Sequence, residues 1–332
     1  MIRNIQYMNA IGFDPYQNLA MEEYLLEIVE KDTCILYLWQ NENTVVIGRN
    51  QNPWKECKIE ELKQDGGHLV RRLSGGGAVF HDLGNLNFTF LLHKDNYDLE
   101  KQLEVILRGV KKFGIQAEKS GRNDITVSGK KFSGNAFYTR GNHCYHHGTL
   151  LVHADIGKLS NYLQVSKEKL CLKGIDSVRS RVGNLSDYGQ RITIVQLKES
   201  LLEAFGEIYG IVVTPCESED FDKQRLEEGK AKFSSWDWIY GRNMEFQHEK
   251  SKQFIWGNTI WQFQVNRGRI EDLQLFSDSV ESDLIEKIPN YMKGCKYEKE
   301  AVCKRLHLLS VEGENQSVIK KDLETYFAGI EW

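Results

Sequence analysis

Residues 71–90, RRLSGGGAVFHDLGNLNFTF, join two arginines, three consecutive glycines and a run in which Leu86, Phe88 and Phe90 alternate with Asn87 and Thr89. The alternation has the two-residue period of a β-strand, so this strand turns one face to a core and a polar face the other way. The glycines strip the Cβ atoms from one turn, which lets backbone N–H groups approach an anion closely, and Arg71 and Arg72 add charge beside them. Two readings of the triplet stand at this point: a phosphate cradle, or a glycine-rich turn packed against its own fold. GGGAVF has neither the Walker spacing G-x-x-x-x-G-K-S/T nor a Rossmann fingerprint, so a nucleotide bound here belongs to a different fold.

The rest of the chain supplies that fold's outline. Asp14 caps a helix carrying Leu19, Leu25, Leu26 and Ile28 on its apolar side and running to about Glu30. CILYLWQ and TVVIGRNQ, separated by the polar NEN, read as a hairpin; WKECKIEELKQD is a short helix before the strand HLVRRL. AVF and LNFTFLL make a second hairpin around HDLGN, and DITV and KKFSGNAFY a third around Ser128-Gly129, with another strand in HHGTLLVHAD. YDLEKQLEVILRGVKKFG, ended by Gly114, and ITIVQLKESLLEAFGEIYG are helices. So many hairpins favour an α+β fold with a mixed, mostly antiparallel sheet flanked by helices over a doubly wound parallel one. From about Phe246 the texture changes to alternating strands with turns at Gly257-Asn258 and Asn266-Arg267-Gly268, followed by two or three helices up to Phe327. A chain of 332 residues exceeds what one core usually fills, so residues 1–245 are expected to form a large domain and residues 252–332 a small α/β one.

A formal net charge of −4 argues against a surface built to neutralise a nucleic-acid backbone, so any basic site is local. Seven cysteines without a C-x-x-C pair indicate neither a disulfide framework nor a zinc knuckle and fit a reducing cytoplasm. The N-terminal stretch lacks a long apolar run and carries acids early, so neither a signal peptide nor a membrane span is expected.

Three further stretches carry candidate chemistry. GRND followed by GKKFSGNAFY sets Lys130, Lys131 and a turn of small residues directly after a strand; a lysine there can reach a phosphate and a carboxylate together, or be the charged tip of a solvated hairpin. His146 and His147 are adjacent on a strand and point to opposite faces, which suits a pocket edge better than one metal ion. Cys144 and Cys171 are candidate nucleophiles, although free cysteines commonly pack as small hydrophobes.

Taken in order, TVVIGRNQNPWKE, RRLSGGGAVFHDLGNLNFTF, SGRNDITVSGKKFSGNAFY, HHGTLLVHADI and KGIDSVRSRVGNL closely resemble the motifs of the lipoate-protein ligase A family, a likeness that extends to FSSWDWIYG and the C-terminal domain. The resemblance implies a fold shared with biotin ligases and the use of ATP and Mg²⁺ to turn lipoate into lipoyl-AMP and pyrophosphate. It also implies transfer of the lipoyl group to a lysine ε-amine on carrier domains of 2-oxoacid dehydrogenase complexes or the glycine cleavage H protein; octanoate as a second acyl substrate is left open by the sequence. By position it assigns Arg72, Gly77, Ala78, Val79 and Phe80 to ATP, and Lys131 to both ATP and lipoate. Ala136, Trp39, Glu22, His81 and His147 fall to lipoate, with Trp39 as an ordinary core aromatic the competing reading. Asp124 is a candidate to hold Mg²⁺ or orient Lys131, and no dedicated protein cage for a metal is implied. Arg179 and Arg181 fit either a docking patch for the carrier or a nucleotide loop.

Three rivals follow from the same residues. A cysteine-dependent acyltransferase would use Cys171 through a thioester; a biotin ligase would need an adenylate loop that GRND does not provide; a non-catalytic lipoate binder would have no use for Arg72, Lys131 and the triplet together.

Overall fold

The structure is a computed structural model that describes residues 1–121, 124–164, 182–188, 192–217, 219, 221–241 and 246–330. The chain divides into two compact units. The first comprises Met1–Val46, Trp54–Arg71 and Val79–Ser235; the second comprises Ile47–Pro53, Arg72–Ala78 and Trp236–Trp332.

The first unit is organised on an eight-stranded sheet. Strand β1 (Asn4–Asn9) is followed by helix α1 (Pro15–Ile28) and then by β2 (Thr33–Trp39), which lies parallel to β1. Asp14 caps α1 by accepting from the Tyr16 and Gln17 N–H groups, with Pro15 at the first helical position where no N–H is needed. Strands β6 (Asn85–His93), β10 (His143–Leu151), β9 (Lys130–Arg140), β8 (Asp124–Val127) and β7 (Glu118–Ser120) then continue outward from β2, every ladder antiparallel. At the other edge β11 (Val213–Pro215) runs parallel to β1. The β8–β9 connection is the hairpin expected at Ser128-Gly129, and both residues have positive φ, 50° and 77°, as a type I′ turn requires.

Two expected hairpins are not formed. The strand TVVI, β3 (Thr44–Ile47), leaves the large sheet after β2 and joins β4 (His68–Arg71) and β5 (Val79–His81) in a separate three-stranded sheet; β5 in turn is followed by β6 back in the large sheet. Short polar linkers that look like hairpin turns are here switches between sheets. The expected single helix in WKECKIEELKQD is two pieces, α2 (Pro53–Glu56) and α3 (Ile59–Gln64).

Helices α4 (Leu99–Lys111) and α6 (Ile194–Tyr209) cover one face of the large sheet, while α5 (Ile156–Tyr162) follows β10. Their apolar stripes, Val105, Ile106 and Val110 on α4 and Leu197, Leu201 and Phe205 on α6, bury Leu36, Phe88, Phe90 and Leu92 of the strands. Thr193 and Gln196 close a capping box at the start of α6, and Gly210, at φ 67°, ends it in the left-handed conformation. The opposite face is covered by α1. This helix is not amphipathic as expected, because α7 (Lys223–Ser234) packs on its other side, and both flanks of α1 are buried. Gly229 on α7 permits that approach, since a Cβ there would lie 3.1 Å from the Ala20 Cβ.

In the second unit, α8 (Trp236–Tyr240) precedes an antiparallel meander of β12 (His248–Phe254), β13 (Gly257–Asn266) and β14 (Arg269–Ser277). Arg267 and Gly268, at φ 49° and 71°, make the tight β13–β14 turn. Helices α9 (Ser282–Met292), α10 (Lys299–His307) and α11 (Gly313–Gly329) close a separate core around Trp261, Phe263, Leu284, Ile285, Leu323 and Phe327. No helix among the described residues is long and apolar enough to cross a membrane.

Candidate active site

Lys131 owes its orientation to an irregularity in β9. Pairing with β8 sets Ser133 opposite Ile125 but Lys131 opposite Thr126, so Phe132 is an extra residue in the strand. Such a bulge breaks the two-residue alternation. It brings Lys131 onto the face that carries Gly134 and Ala136, while Phe132 stays in the core. On that face Lys131 Nζ lies 2.6 Å from Asp124 Oδ1, both side chains partly exposed. A Cβ on Gly134 would stand 3.0 Å from Lys131 Cε and Nζ, so the bare glycine gives the lysine room to lie along the strand. Ala136 pairs with His147 across the β9–β10 ladder, which puts His147 on the same face. Gly183 N–H donates to the Lys131 carbonyl at 3.0 Å, so the chain returns beside this lysine.

The polar side of LNFTF is buried rather than solvated, and it organises the rest of this region. Trp39 Nε1 donates to Thr89 Oγ1 at 3.0 Å, Thr89 Oγ1 donates to Glu22 Oε1 at 2.7 Å, and His147 Nδ1 lies 2.8 Å from the same oxygen. Glu22 is 1% exposed, so its carboxylate depends on these partners instead of water. A second chain runs from Tyr37 through Asn18 to Asn41, whose Nδ2 lies 3.3 Å from His81 Nδ1; Asn87 Nδ2 approaches the same nitrogen at 3.4 Å. Two side-chain amides thus converge on His81 Nδ1. The Trp39 and His81 rings meet edge to face at 6.2 Å. Trp39, Glu22, His81 and His147 are thus brought into one buried polar region. Thr89, Asn87, Asn41 and Asn18 belong to it too. Sequence reading assigned them no role, although Asn and Thr in place of charged residues on the alternating strand signal a polar face that is buried.

The glycine loop lies in the second unit, where its three glycines have different surroundings. Gly75 and Gly76 are buried and Gly77 is exposed. A Cβ on Gly75 would meet Ser279 O at 2.3 Å, and Gly76 has φ 89°, whereas a Cβ on Gly77 would have open space. Arg72, 6% exposed, folds back over this loop: Nη2 donates to Gly75 O at 2.6 Å and Gly77 O at 2.9 Å, and Nε to Ser74 Oγ at 3.0 Å. The guanidinium therefore gathers the loop's carbonyls. Ala78 and Val79 are half-buried, and Phe80, on β5, packs its ring 5.2 Å from Tyr162.

The adjacent histidines do separate. His146 enters the core between Phe90 and Phe137, and burial, with His147 next, pushes its pKa down to about 3, so it is neutral. Among the described residues no group of three His, Cys, Asp or Glu side chains could hold a metal ion. Burial pushes the Cys144 thiol up to about 12, which leaves it a poor nucleophile. Cys171, Arg179 and Arg181 lie outside the described residues.

Comparison with known proteins defines the class. Residues 14–206 match the family model described as the lipoyl protein ligase A/B catalytic domain, and residues 243–327 match the bacterial lipoate protein ligase C-terminus. A lipoate-protein ligase A of Bdellovibrio bacteriovorus is 39% identical over 314 residues, covering 92% of this chain and 91% of that protein. The crystal structure of P. falciparum LipL1 in complex with lipoate is 31% identical with a TM-score of 0.86, covering 98% of this chain and 99% of that one. A lipoate-protein ligase A bound with ATP is 26% identical with a TM-score of 0.64, covering 73% and 99%. This chain belongs to the lipoate-protein ligase A family.

Proposed function

We propose that this chain activates lipoate with ATP and then transfers the lipoyl group to a lysine of a lipoyl carrier domain. In the first half-reaction a lipoate carboxylate oxygen attacks the α-phosphorus, the α–β phosphoanhydride bond breaks, and pyrophosphate leaves. In the second, the carrier's deprotonated ε-amine attacks the acyl carbon, the C–O bond to AMP breaks, and the amine's extra proton passes to solvent. A mixed anhydride already has a good leaving group, so no enzyme nucleophile is needed, consistent with the buried, inert Cys144.

The observation that carries this reading is the placement of Lys131 by the bulge, on one face with Asp124, Ala136 and His147. The ammonium offsets repulsion between the carboxylate and the anionic phosphate and stabilises charge that develops in transfer. Arg72, Gly77, Ala78, Val79 and Phe80 are assigned to ATP. Ala136, Trp39, Glu22, His81 and His147 are assigned to lipoate, whose thin apolar chain suits a mostly apolar slot with a polar end. We assign residues 1–245 to the catalytic domain and 252–332 to an accessory one; residues 47–53, 72–78 and 236–241 belong to the catalytic portion by sequence while grouping with the second compact unit.

Mg²⁺ fits the donors present: a nucleotide-bound magnesium takes most of its ligands from phosphates and water and needs only one or two carboxylates, a role open to Asp124. When bound it neutralises phosphate charge. A solved chain from a structural analysis of a bi-partite lipoate protein ligase and its E2 lipoyl domain from Thermoplasma acidophilum is 28% identical to this one, with a TM-score of 0.65, covering 74% of this chain and 98% of that one. It supports a lipoyl domain as the acceptor. We extend the acceptors to the glycine cleavage H protein, the acyl substrates to octanoate, and the location to the cytoplasm.

Lipoate-dependent exchange of labelled pyrophosphate into ATP tests the first half-reaction, and mass gain on one carrier lysine tests the second. Lys131→Ala is expected to lower exchange by about 10²–10³-fold, the range for removing one preorganised charge-stabilising donor, with folding retained by circular dichroism. Unchanged exchange would refute the role assigned to Lys131.

A further inference from the structure

A peptide segment that holds a nucleotide must itself be held, and the support for the glycine loop is visible within the second unit. The Gly75–Gly76 peptide is fixed at both ends: its carbonyl accepts from Arg72, and its N–H donates to Ser279 O at 2.9 Å. The next pinned carbonyl, Gly77 O, also faces Arg72. In a trans peptide the N–H points opposite to the C=O, so the Ala78 N–H is turned away from Arg72. Arg72 thus orients the Gly77–Ala78 peptide, while Ser279 and Arg72 together anchor the loop at the Gly75–Gly76 peptide before it. Gly76 N–H is committed to Ser279, which leaves the Gly77–Ala78 end of the loop to meet an anion.

Ser279 belongs to a corner, residues 277–282, between β14 and α9. Ser277 Oγ accepts from Ser279 N–H at 3.1 Å, Ser279 Oγ from Glu281 N–H at 3.2 Å, and Val280 O from Ser282 N–H at 2.9 Å. Asn50, 2% exposed, brackets this corner: its carbonyl accepts from Ser277 N–H at 2.9 Å and its Nδ2 donates to Ser282 O at 3.0 Å. The stretch around Asn50 is itself joined to the loop, with Arg49 N–H on Ser74 O at 2.9 Å and Arg72 N–H on Ile47 O at 3.0 Å.

We propose that Asn50 is a positioning residue for ATP, acting through Ser279 on the glycine loop. By holding both ends of the corner, it keeps the Ser279 carbonyl where Gly76 can reach it. This role rests on the adenylation reading above and acts through the backbone of the loop.

The test is steady-state kinetics of lipoate-dependent pyrophosphate exchange on the full chain, with ATP and lipoate varied separately. Asn50→Ala is expected to raise the KM for ATP roughly five- to tenfold, the effect of losing one buried hydrogen bond, while the KM for lipoate stays within about twofold. Ser277→Ala, which weakens the same carbonyl by a different route, shifts the ATP value in the same direction by less. An unchanged KM for ATP in both variants overturns the proposal. So does a loss confined to kcat in proportion to the unfolded fraction seen by circular dichroism, because that is the mark of a merely structural role. Absence of exchange in the wild-type chain would instead overturn the adenylation reading.

Discussion

The buried polar region of the first unit and the glycine loop of the second are built from different materials. Around Glu22 the functional groups are side chains, projected from α1, β2, β6 and β10 and linked end to end by hydrogen bonds. In residues 72–78 they are peptide groups, and the side chain of Arg72 serves to aim them. The two regions should therefore fail differently. The first is sensitive to removing a polar atom, the second to adding a carbon.

Glu22→Ala is the strongest way to break the first region. It leaves Thr89 and His147 buried without their shared acceptor and is expected to cost about 3 kcal/mol, read by urea denaturation. Surviving enzyme should show a raised KM for lipoate and an unchanged KM for ATP, the reverse of the Asn50 variant; a rise in both would erase the distinction between the two regions. For the loop, Gly75→Ala adds a methyl 2.3 Å from the Ser279 carbonyl and is expected to destabilise by about 1–3 kcal/mol. Gly77→Ala, with open space around it, should stay within about 0.5 kcal/mol of wild type. Equal thermal shifts in the two variants would show that the triplet is uniform after all.

The last effect is a loss seen only on acidification and concerns the apolar side of the large sheet. His146 is neutral in the fold, with a pKa near 3 against an ordinary 6.5. Its folded pKa lies below its unfolded one, so its contribution is complete above about pH 6.5 and is lost as the pH falls towards 3, at up to about 1.4 kcal/mol per pH unit. His146→Gln should flatten the acid limb of the stability profile by that slope, and an identical limb would show that the histidine is not held neutral.

Local signals made much of this fold legible. Asp14 and Gly114 mark helix ends through their own hydrogen bonds or backbone conformation, and Ser128-Gly129 marks its hairpin through positive φ. The sheet switches after β2 and β5 were not legible, because a short polar linker reads the same whether the chain turns back or crosses to another sheet. Within the site, resemblance supplied Trp39, Glu22, His81 and His147, but alternation alone places Thr89 and Asn87 only on a polar face, and burial of that face depends on α1. Asn50 escapes sequence reading altogether, since its side chain donates to a backbone carbonyl 232 positions away.

The extra residue at Phe132 has a further consequence. Because successive strand residues alternate faces, the side on which Lys131 emerges is a matter of parity. The chemistry of this strand is therefore encoded in its length as well as its composition. Loss of Phe132 alone would remove the bulge and leave Lys131 on the face of Gly134 by plain alternation, whereas loss of both Phe132 and Ser133 would preserve the lysine in the sequence and turn it away from Asp124.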